Sequence, residues 1–572
     1  MLVTRAPTVA DPGREWTVAS PSKAISANVV PRSGTYEIEV FRDGRPVLAA
    51  TLGGRPGTAI RPPAEDRVHD AFTTPVGKRR SHELSGNRLT VTFARGRTLE
   101  LLVTDDGVAF RQTAAGNDDA SWRAPAGTKA WLQTYRPDYE GPYRGVTLGK
   151  AGFAAYGFPA LLRTGRDYAL LTESGLDRGP AARLAIDHGR AGILRVALPR
   201  GESLPRTTPW RVAVVGDLAT VVGSDLPLSL GRPSRIRDTS WIRPGRVAWS
   251  WWSDTSSPGN LPRQRAFVRA AAAYRWEYVL LDAGWNPGDV PKIAGYGRSR
   301  GVKVMVWTDW DALKDPAQRE RLFSKWASWG VAGVKVDFLL SDKADRIAVY
   351  GAIARDAARH HMTVVFHGCT VPRGIQRTWP NVLTMEAVEG TEREIPDQGT
   401  QAMDPHQDVN FVFTRNAIGS MDYTPAALSA RGQASTMAHR LAQAIAFESG
   451  LQHYADRPES YAEHPAALAL LGAAPAAWDD TRLLAGAPDT YATVARRAGE
   501  TWFVGGLSAT PARTETLALG FLAPGRAYTA TVITDDGAGG LASSTRTVTA
   551  ADALTVPVAA DGGFTVQFAP AR

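Results

Sequence analysis

Between residues 247 and 414 the sequence keeps repeating one unit: a short apolar run, a turn rich in acids and tryptophan, then a helical stretch. The apolar runs lie at 247–252, 278–282, 303–307, 333–338, 363–367, 382–386 and 410–414. Helical spacing is clearest at 264–274, 316–329 and 343–358. Runs that are apolar throughout suit parallel strands, which helices cover on the outer face. Alternation sustained from about residue 236 to about residue 480 leaves a (β/α)₈ TIM barrel as the expected core of the chain. A further helix, expected over 429–449, reads as ordinary barrel wall.

The chain has 572 residues, too many for one hydrophobic core. Before the barrel, the runs at 36–40, 89–93, 99–103 and 194–198 alternate at period two and are broken by Gly, Asp-Gly and Asn turns. Asp105-Asp106-Gly107 is an expected hairpin turn. A large antiparallel β-super-sandwich is therefore expected over 15–235, with a linker around Pro233 to Gly245. Short strands return at 490–495, 501–506, 528–533 and 555–558, which gives a C-terminal β-sandwich over 481–572 with a packing role. The whole is a multidomain α/β chain whose barrel occupies 236–480.

The net charge of +9 is spread as arginine along the chain, without the block of like charges that marks a nucleic-acid tail. Nucleic acid is not an expected partner. Cys369 is the single cysteine, which excludes an intrachain disulfide and a cysteine zinc site. No apolar run approaches the length of a membrane span. Residues 1–7 lack the apolar centre of a signal peptide, so the compartment stays open between the cytoplasm and a chain whose targeting segment lies outside this sequence.

Barrel chemistry sits at the carboxyl ends of the strands. Here those ends carry Trp251, Trp252 and Asp254, then Asp282 and Trp285, then Trp307, Asp309 and Trp310, then Lys335 and Asp337, then His367, then Glu386 and Glu392. Phosphate-binding loops and a serine-nucleophile elbow are both missing from the sequence. A ring of acids and tryptophans suits glycoside cleavage, in which one acid protonates the leaving oxygen and one carboxylate attacks carbon or activates water. Lys335 and Asp337 share a strand face, and a cation beside Asp337 favours its ionised, nucleophilic form. Four glutamates crowd one loop (Glu386, Glu389, Glu392 and Glu394), where negative neighbours raise a carboxyl toward a useful acid. Spacing does not choose among them. His367 either meets a sugar hydroxyl or satisfies a backbone group. Trp252 and Trp307 either stack on a sugar or pack the barrel.

Several stretches resemble glycoside hydrolase family 97, a calcium-containing family of α-glucosidases and α-galactosidases: Gly-Val-Lys-Val-Asp-Phe at 333–338, the run from His367 to Glu392, and Phe-Thr-Arg-Asn-Ala-Ile-Gly-Ser-Met-Asp-Tyr-Thr-Pro at 413–425. The three-domain order is similar too. The resemblance implies Glu392 as the catalytic acid, Glu386 as a Ca²⁺ ligand, and a further ligand reaching over from the N-terminal domain. Glu140, in the aromatic stretch 131–143, is the best match for that ligand. In the inverting α-glucosidase branch a glutamate follows the strand histidine and the position of Asp337 lacks a carboxylate. Here Gly368 follows His367 and Asp337 is present. The resemblance therefore implies the retaining, α-galactosidase-like branch, with Asp337 as nucleophile and Glu392 as acid/base; the strand-end residues Lys335, His367, Trp307, Asp309 and Trp252 are the expected sugar contacts. Retaining enzymes hold their carboxyl groups ~5–5.5 Å apart, inverting ones ~6.5–9.5 Å. The expected partner is an α-linked galactoside or glucoside. The alternatives are an inverting α-glucosidase, for which Asp309 is the spare base, and a non-catalytic sugar-binding barrel. The oligomeric state stays open.

Overall fold

The computed structural model describes residues 15–571 apart from 55, 56, 58, 114–119, 189, 396–401 and 431. The expectation about residues 1–7 falls outside the described residues.

Seven parallel strands form the barrel: Gly245–Trp249, Tyr278–Leu281, Lys303–Asp309, Val331–Asp337, Thr363–Phe366, Val382–Met385 and Leu451–Ala455. The last pairs with the first, from Gly245 against Leu451 to Trp249 against Ala455. At the eighth place the ladder shrinks to one parallel bridge between Met385 and Met421. Asp422 N–H donates to Met385 O at 3.0 Å, and Met421 N–H to Glu448 O at 2.9 Å. The outer helices Leu261–Tyr274, Pro316–Trp329 and Ala344–Arg359 lie where helical spacing put them.

Two expectations fail. The run at 410–414 belongs to the helix Pro405–Phe413, not to a strand. Asp404 caps it by accepting from His406 N–H, and Pro405 takes the first turn, where a missing N–H costs nothing. Every residue of this helix except His406 is buried, so no polar face marks its period in the sequence. The strand expected there is instead supplied by Leu451–Ala455. The helix expected over 429–449 is shorter, Met437–Ala446, and is not outer wall. It is buried between the barrel and the C-terminal domain. Arg496 caps its end by donating to Ile445 O at 2.7 Å and Ala446 O at 2.8 Å. A Cβ at Gly505 would lie 2.8 Å from Ala442 O, so glycine is what lets the strand Thr501–Ser508 approach so closely.

Among the described residues, the N-terminal domain is a sandwich of an eight-stranded and a nine-stranded antiparallel sheet, and the C-terminal domain has a six-stranded and a two-stranded sheet. The hairpin at Asp105 forms, with Thr104 paired to Gly107. The sandwich is anchored to the barrel by buried charge. Arg373, in the loop after the strand Thr363–Phe366, donates to Glu173 Oε1 at 2.5 Å, and Glu173 also pairs with Arg211. Lys78 is buried and donates to Ser224 O and Ala417 O, both at 2.7 Å.

Arg415 braces the weak eighth position. Its buried guanidinium donates to Glu386 O (3.1 Å), Met385 O (2.8 Å), Gly419 O (3.0 Å) and Ser420 O (2.9 Å). Arg415→Met would remove a donor from four carbonyls, of which Met385 O alone keeps the bond from Asp422 N–H named above. It should lower stability by about 3–5 kcal/mol, read as a fall in the thermal unfolding midpoint.

Candidate active site

The barrel mouth gathers its polar groups around His367, which follows the strand Thr363–Phe366 and is 1% exposed. Its Nε2 lies 2.8 Å from Asp422 Oδ2, and Asp422 also takes His453 Nδ1 at 3.0 Å through Oδ1. Its Nδ1 lies 3.0 Å from Glu386 Oε1 and 3.7 Å from Glu392 Oε1, yet it has no hydrogen-bond partner. The other Glu386 oxygen, Oε2, accepts from Gly368 N–H at 2.7 Å. Burial works against a charge on His367, but the negative charges of Glu386 and Glu392 outweigh it and raise its pKa well above the usual imidazole range.

Lys335 is buried inside the barrel and donates to Glu392 Oε1 at 2.9 Å and Asp282 Oδ2 at 3.1 Å. Asp282 also accepts from Trp249 Nε1–H and from Ala283 N–H, both at 2.7 Å. Asp337 ends the strand Val331–Asp337, accepting from Phe338 N–H at 2.6 Å and from Trp307 Nε1–H at 3.0 Å. Burial raises the Asp337 carboxyl, while Lys335 and His367 pull it back. The cation expected beside Asp337 thus acts on it through space, with its hydrogen bonds going to the two other acids. Burial also pushes the Glu392 carboxyl up to about 7, ahead of the contributions of Glu386 and Asp337. Sequence reasoning credited negative neighbours with that shift; desolvation leads it.

Folding separates the four glutamates of the loop. Glu389 faces Arg393 at 3.6 Å, and Glu394 turns away to accept from Met403 N–H at 2.9 Å. Only Glu386 and Glu392 join His367. Glu140 lies in the sandwich loop between the strands Lys129–Gln133 and Tyr143–Thr147, near enough to that group for its charge to act on it, and its Oε2 lies 3.8 Å from Arg393. Gln133 Nε2 brackets it by donating to Tyr139 O at 2.8 Å and Gly141 O at 2.6 Å. The Tyr139 hydroxyl donates to Asp342 Oδ2 at 2.7 Å and accepts from Arg373 at 2.8 Å, which fixes the loop on the barrel. Burial, then the charges of Glu386, Asp138 and Glu392, pushes the Glu140 carboxyl up to about 10.

One expected sugar contact is corrected. Trp252 is 1% exposed and offers no face for stacking; its Nε1–H donates to Thr391 O at 3.0 Å, which holds the turn that carries Glu392. Asp309 points a carboxylate oxygen at its own turn, accepting from Asp311 N–H at 2.7 Å. Trp307 is half-buried and orients Asp337. Of the two roles left open for His367, satisfying a backbone group is excluded, because its ring faces side chains only. Asp282, Asp342, Asp422 and His453 complete the network. Asp282 and Asp422 stood in runs singled out in the sequence, but nothing local named their partners.

Family models described as Glycosyl-hydrolase 97 N-terminal, Glycoside hydrolase 97, and Glycosyl-hydrolase 97 C-terminal, oligomerisation match residues 18–233, 241–388 and 477–569. A probable retaining alpha-galactosidase of Streptomyces bingchenggensis (strain BCW-1) is 37% identical over 600 residues, covering 96% of this chain and 92% of its own. This chain belongs to glycoside hydrolase family 97. A crystal structure of a beta-arabinopyranosidase superposes with a TM-score of 0.87 at 25% identity, over 96% of this chain and 100% of that one. A family 97 enzyme from Pseudoalteromonas sp. strain K8, in complex with acarbose, shares the fold at a TM-score of 0.89 and 22% identity, over 97% of this chain and 100% of that one.

This family 97 chain is therefore a glycoside hydrolase, and its mouth carries the donors a cation needs. His367 Nδ1, Glu386 and Glu392 present atoms that all lie within 4.8 Å of one another. The fit rests on His367. With Nε2 committed to Asp422, its buried and unpartnered Nδ1 is directed among carboxylate oxygens, the hard donors that a cation such as calcium would take.

Gly368 fits its place for a different reason. Its φ is +47°, and a Cβ there would sit 3.0 Å from both N and Cα of Phe338 and 3.3 Å from Asp337 Oδ1. Any side chain at 368 would press on the turn that aims Asp337. Gly368→Ala should therefore lower kcat by about ten- to a hundredfold while the protein stays folded, measured by steady-state hydrolysis of an aryl α-glycoside alongside circular dichroism.

Proposed function

We propose that this chain is a retaining, exo-acting α-galactosidase that uses Asp337 as nucleophile and Glu392 as general acid and base. One observation carries the reading: Asp337 ends its strand, held at both carboxylate oxygens, beside a glycine whose missing side chain leaves the carboxylate room. A glutamate base at 368, which inversion would use, has no place in that turn. The Streptomyces relative, described as a probable retaining alpha-galactosidase, points the same way.

In the first step the Asp337 carboxylate attacks the anomeric carbon. The bond from that carbon to the leaving oxygen breaks, and Glu392 gives its proton to that oxygen. In the second step water attacks the same carbon, its proton passes to the Glu392 carboxylate, and the ester bond to Asp337 breaks. Two inversions leave the configuration unchanged. Burial that holds the Glu392 carboxyl up to about 7 suits a group that must both give and take a proton. Lys335 fixes the Glu392 oxygen it bonds, and Trp307 with Phe338 N–H fixes the angle of Asp337.

Glu140 and Glu386 would hold a calcium ion, whose charge would offset the crowded carboxylates and favour an oxocarbenium-like transition state. Carboxylates supply the hard oxygen ligands that calcium prefers.

The deciding test is proton NMR of p-nitrophenyl α-galactoside hydrolysis, run beside the α-glucoside and the β-L-arabinopyranoside. The last shares the ring configuration of galactose without its hydroxymethyl group, and the arabinopyranosidase likeness makes it the natural rival. The α-galactoside should react fastest and release the α-anomer first. Release of the β-anomer first would refute retention, and a faster arabinopyranoside would move the assignment to that sugar.

Exhaustive EGTA treatment should cut activity about tenfold or more, and added calcium should restore it. Calcium added to the stripped protein should also raise its thermal unfolding midpoint, because the ion binds only the folded site. Full activity after stripping would remove calcium from this reading.

A further inference from the structure

Polarity falls along the catalytic strand as it rises out of the barrel. Lys335 is 3% exposed, Asp337 is half-buried, and beyond it Phe338 and Leu340 are 49% and 44% exposed. Among the described residues only two other large hydrophobic side chains are comparably exposed, Ile60 and Phe153, both in the sandwich. The pair beside Asp337 thus forms an isolated apolar patch at the mouth.

The segment that presents them is held at every residue. Phe338 and Leu340 have φ of 60° and 42°, left-handed values that side-chain-bearing residues seldom adopt. Phe338 N–H is spent on Asp337 Oδ1 and Leu340 N–H donates to Gly368 O at 2.8 Å. Leu339 between them is fully buried, and its carbonyl accepts from Arg346. The Phe338 ring is edge-on to Trp307, with centroids 6.1 Å apart, and the Trp307 indole is hydrogen-bonded to Asp337. A fixed backbone that leaves two large apolar side chains in water is a preformed surface for something apolar.

We propose that Phe338 and Leu340 form the leaving-group subsite, a lip on which the apolar face of an aglycone ring, sugar or aryl, rests while Asp337 attacks. This rests on the assignment of Asp337 and Glu392 made above. In an exo-acting pocket the sugar to be released enters first, and its hydroxyls need the buried polar groups below. The leaving group stays at the rim, where the lip is. A pyranose has one face rich in C–H bonds, and an aryl group is apolar on both, so either gains by covering these side chains.

The test compares substrates that differ only in the leaving group. Phe338→Ala and Leu340→Ala, made separately and together, keep the backbone N–H groups that hold Asp337 and Gly368. With p-nitrophenyl α-galactoside and an α-galactosyl disaccharide, each single variant should lose about three- to tenfold in kcat/KM, the size that half-burying such a side chain supplies. With α-galactosyl fluoride, whose leaving group is too small to reach the lip, kcat/KM of the Leu340→Ala variant should be unchanged, as should its inhibition by free galactose, and any loss shown by Phe338→Ala should be smaller than its loss on the two larger substrates. Equal losses on all three substrates would mean that the residues support Asp337, and no loss on any would mean that nothing rests on them; either result overturns the proposal. Wild-type protein that cleaves neither the aryl galactoside nor the fluoride would refute the parent assignment instead, and this subsite with it.

Discussion

Burying carboxylates together is what this structure must solve, because each charge taken from water costs several kcal/mol unless it is paired. Glu140, Glu386, Glu392, Asp282 and Asp337 converge on one barrel mouth with Lys335 and His367 as the buried cations among them. Lys335 spans Asp282 and Glu392, while His367 is tied to Asp422 on one side and faces Glu386 on the other. Burial first, and negative neighbours second, raise carboxyl groups toward neutrality, Glu392 to about 7 and Glu140 to about 10. A raised carboxyl suits the acid role proposed for Glu392, and the crowding of carboxylates suits the calcium ion proposed there.

The architecture serves that concentration of charge. The barrel supplies acids at strand ends, where loops are free to vary, but it cannot by itself roof the mouth. The sandwich does so through one loop, bracketed by Gln133 and pinned by Tyr139 to Asp342 and Arg373. Arg373 in turn reaches Glu173 inside the sandwich, so the pin is continuous with the core of the other domain. Glu140 is delivered by this contact between domains, and its environment exists only when both are folded against each other.

Much of this was legible from the chain alone. The strand ends carry the acids that were named for them, since alternation at period two fixes which residues of a barrel strand face inward. Resemblance selected Glu386 and Glu392 from four glutamates, and folding brings those two to His367 while turning Glu389 and Glu394 elsewhere. The run 410–414 misled because a helix buried on every side shows neither period. Trp252 misled because a tryptophan at a strand end reads alike whether it stacks on a ligand or props a turn.

The sequence by itself determined the repeated strand–helix unit, the flanking β domains, the family, and the inward direction of Lys335 and Asp337, all properties of near neighbours in the chain. Only tertiary structure decided that Lys335 bonds Glu392 and Asp282 rather than Asp337, that Tyr139 pins the loop of Glu140 to Asp342 and Arg373, and that a Cβ at 368 would press on the turn of Asp337. These are meetings between residues from 31 to more than 200 positions apart. Their energies depend on burial and on distances of a few ångströms, and periodicity along a chain carries no record of either.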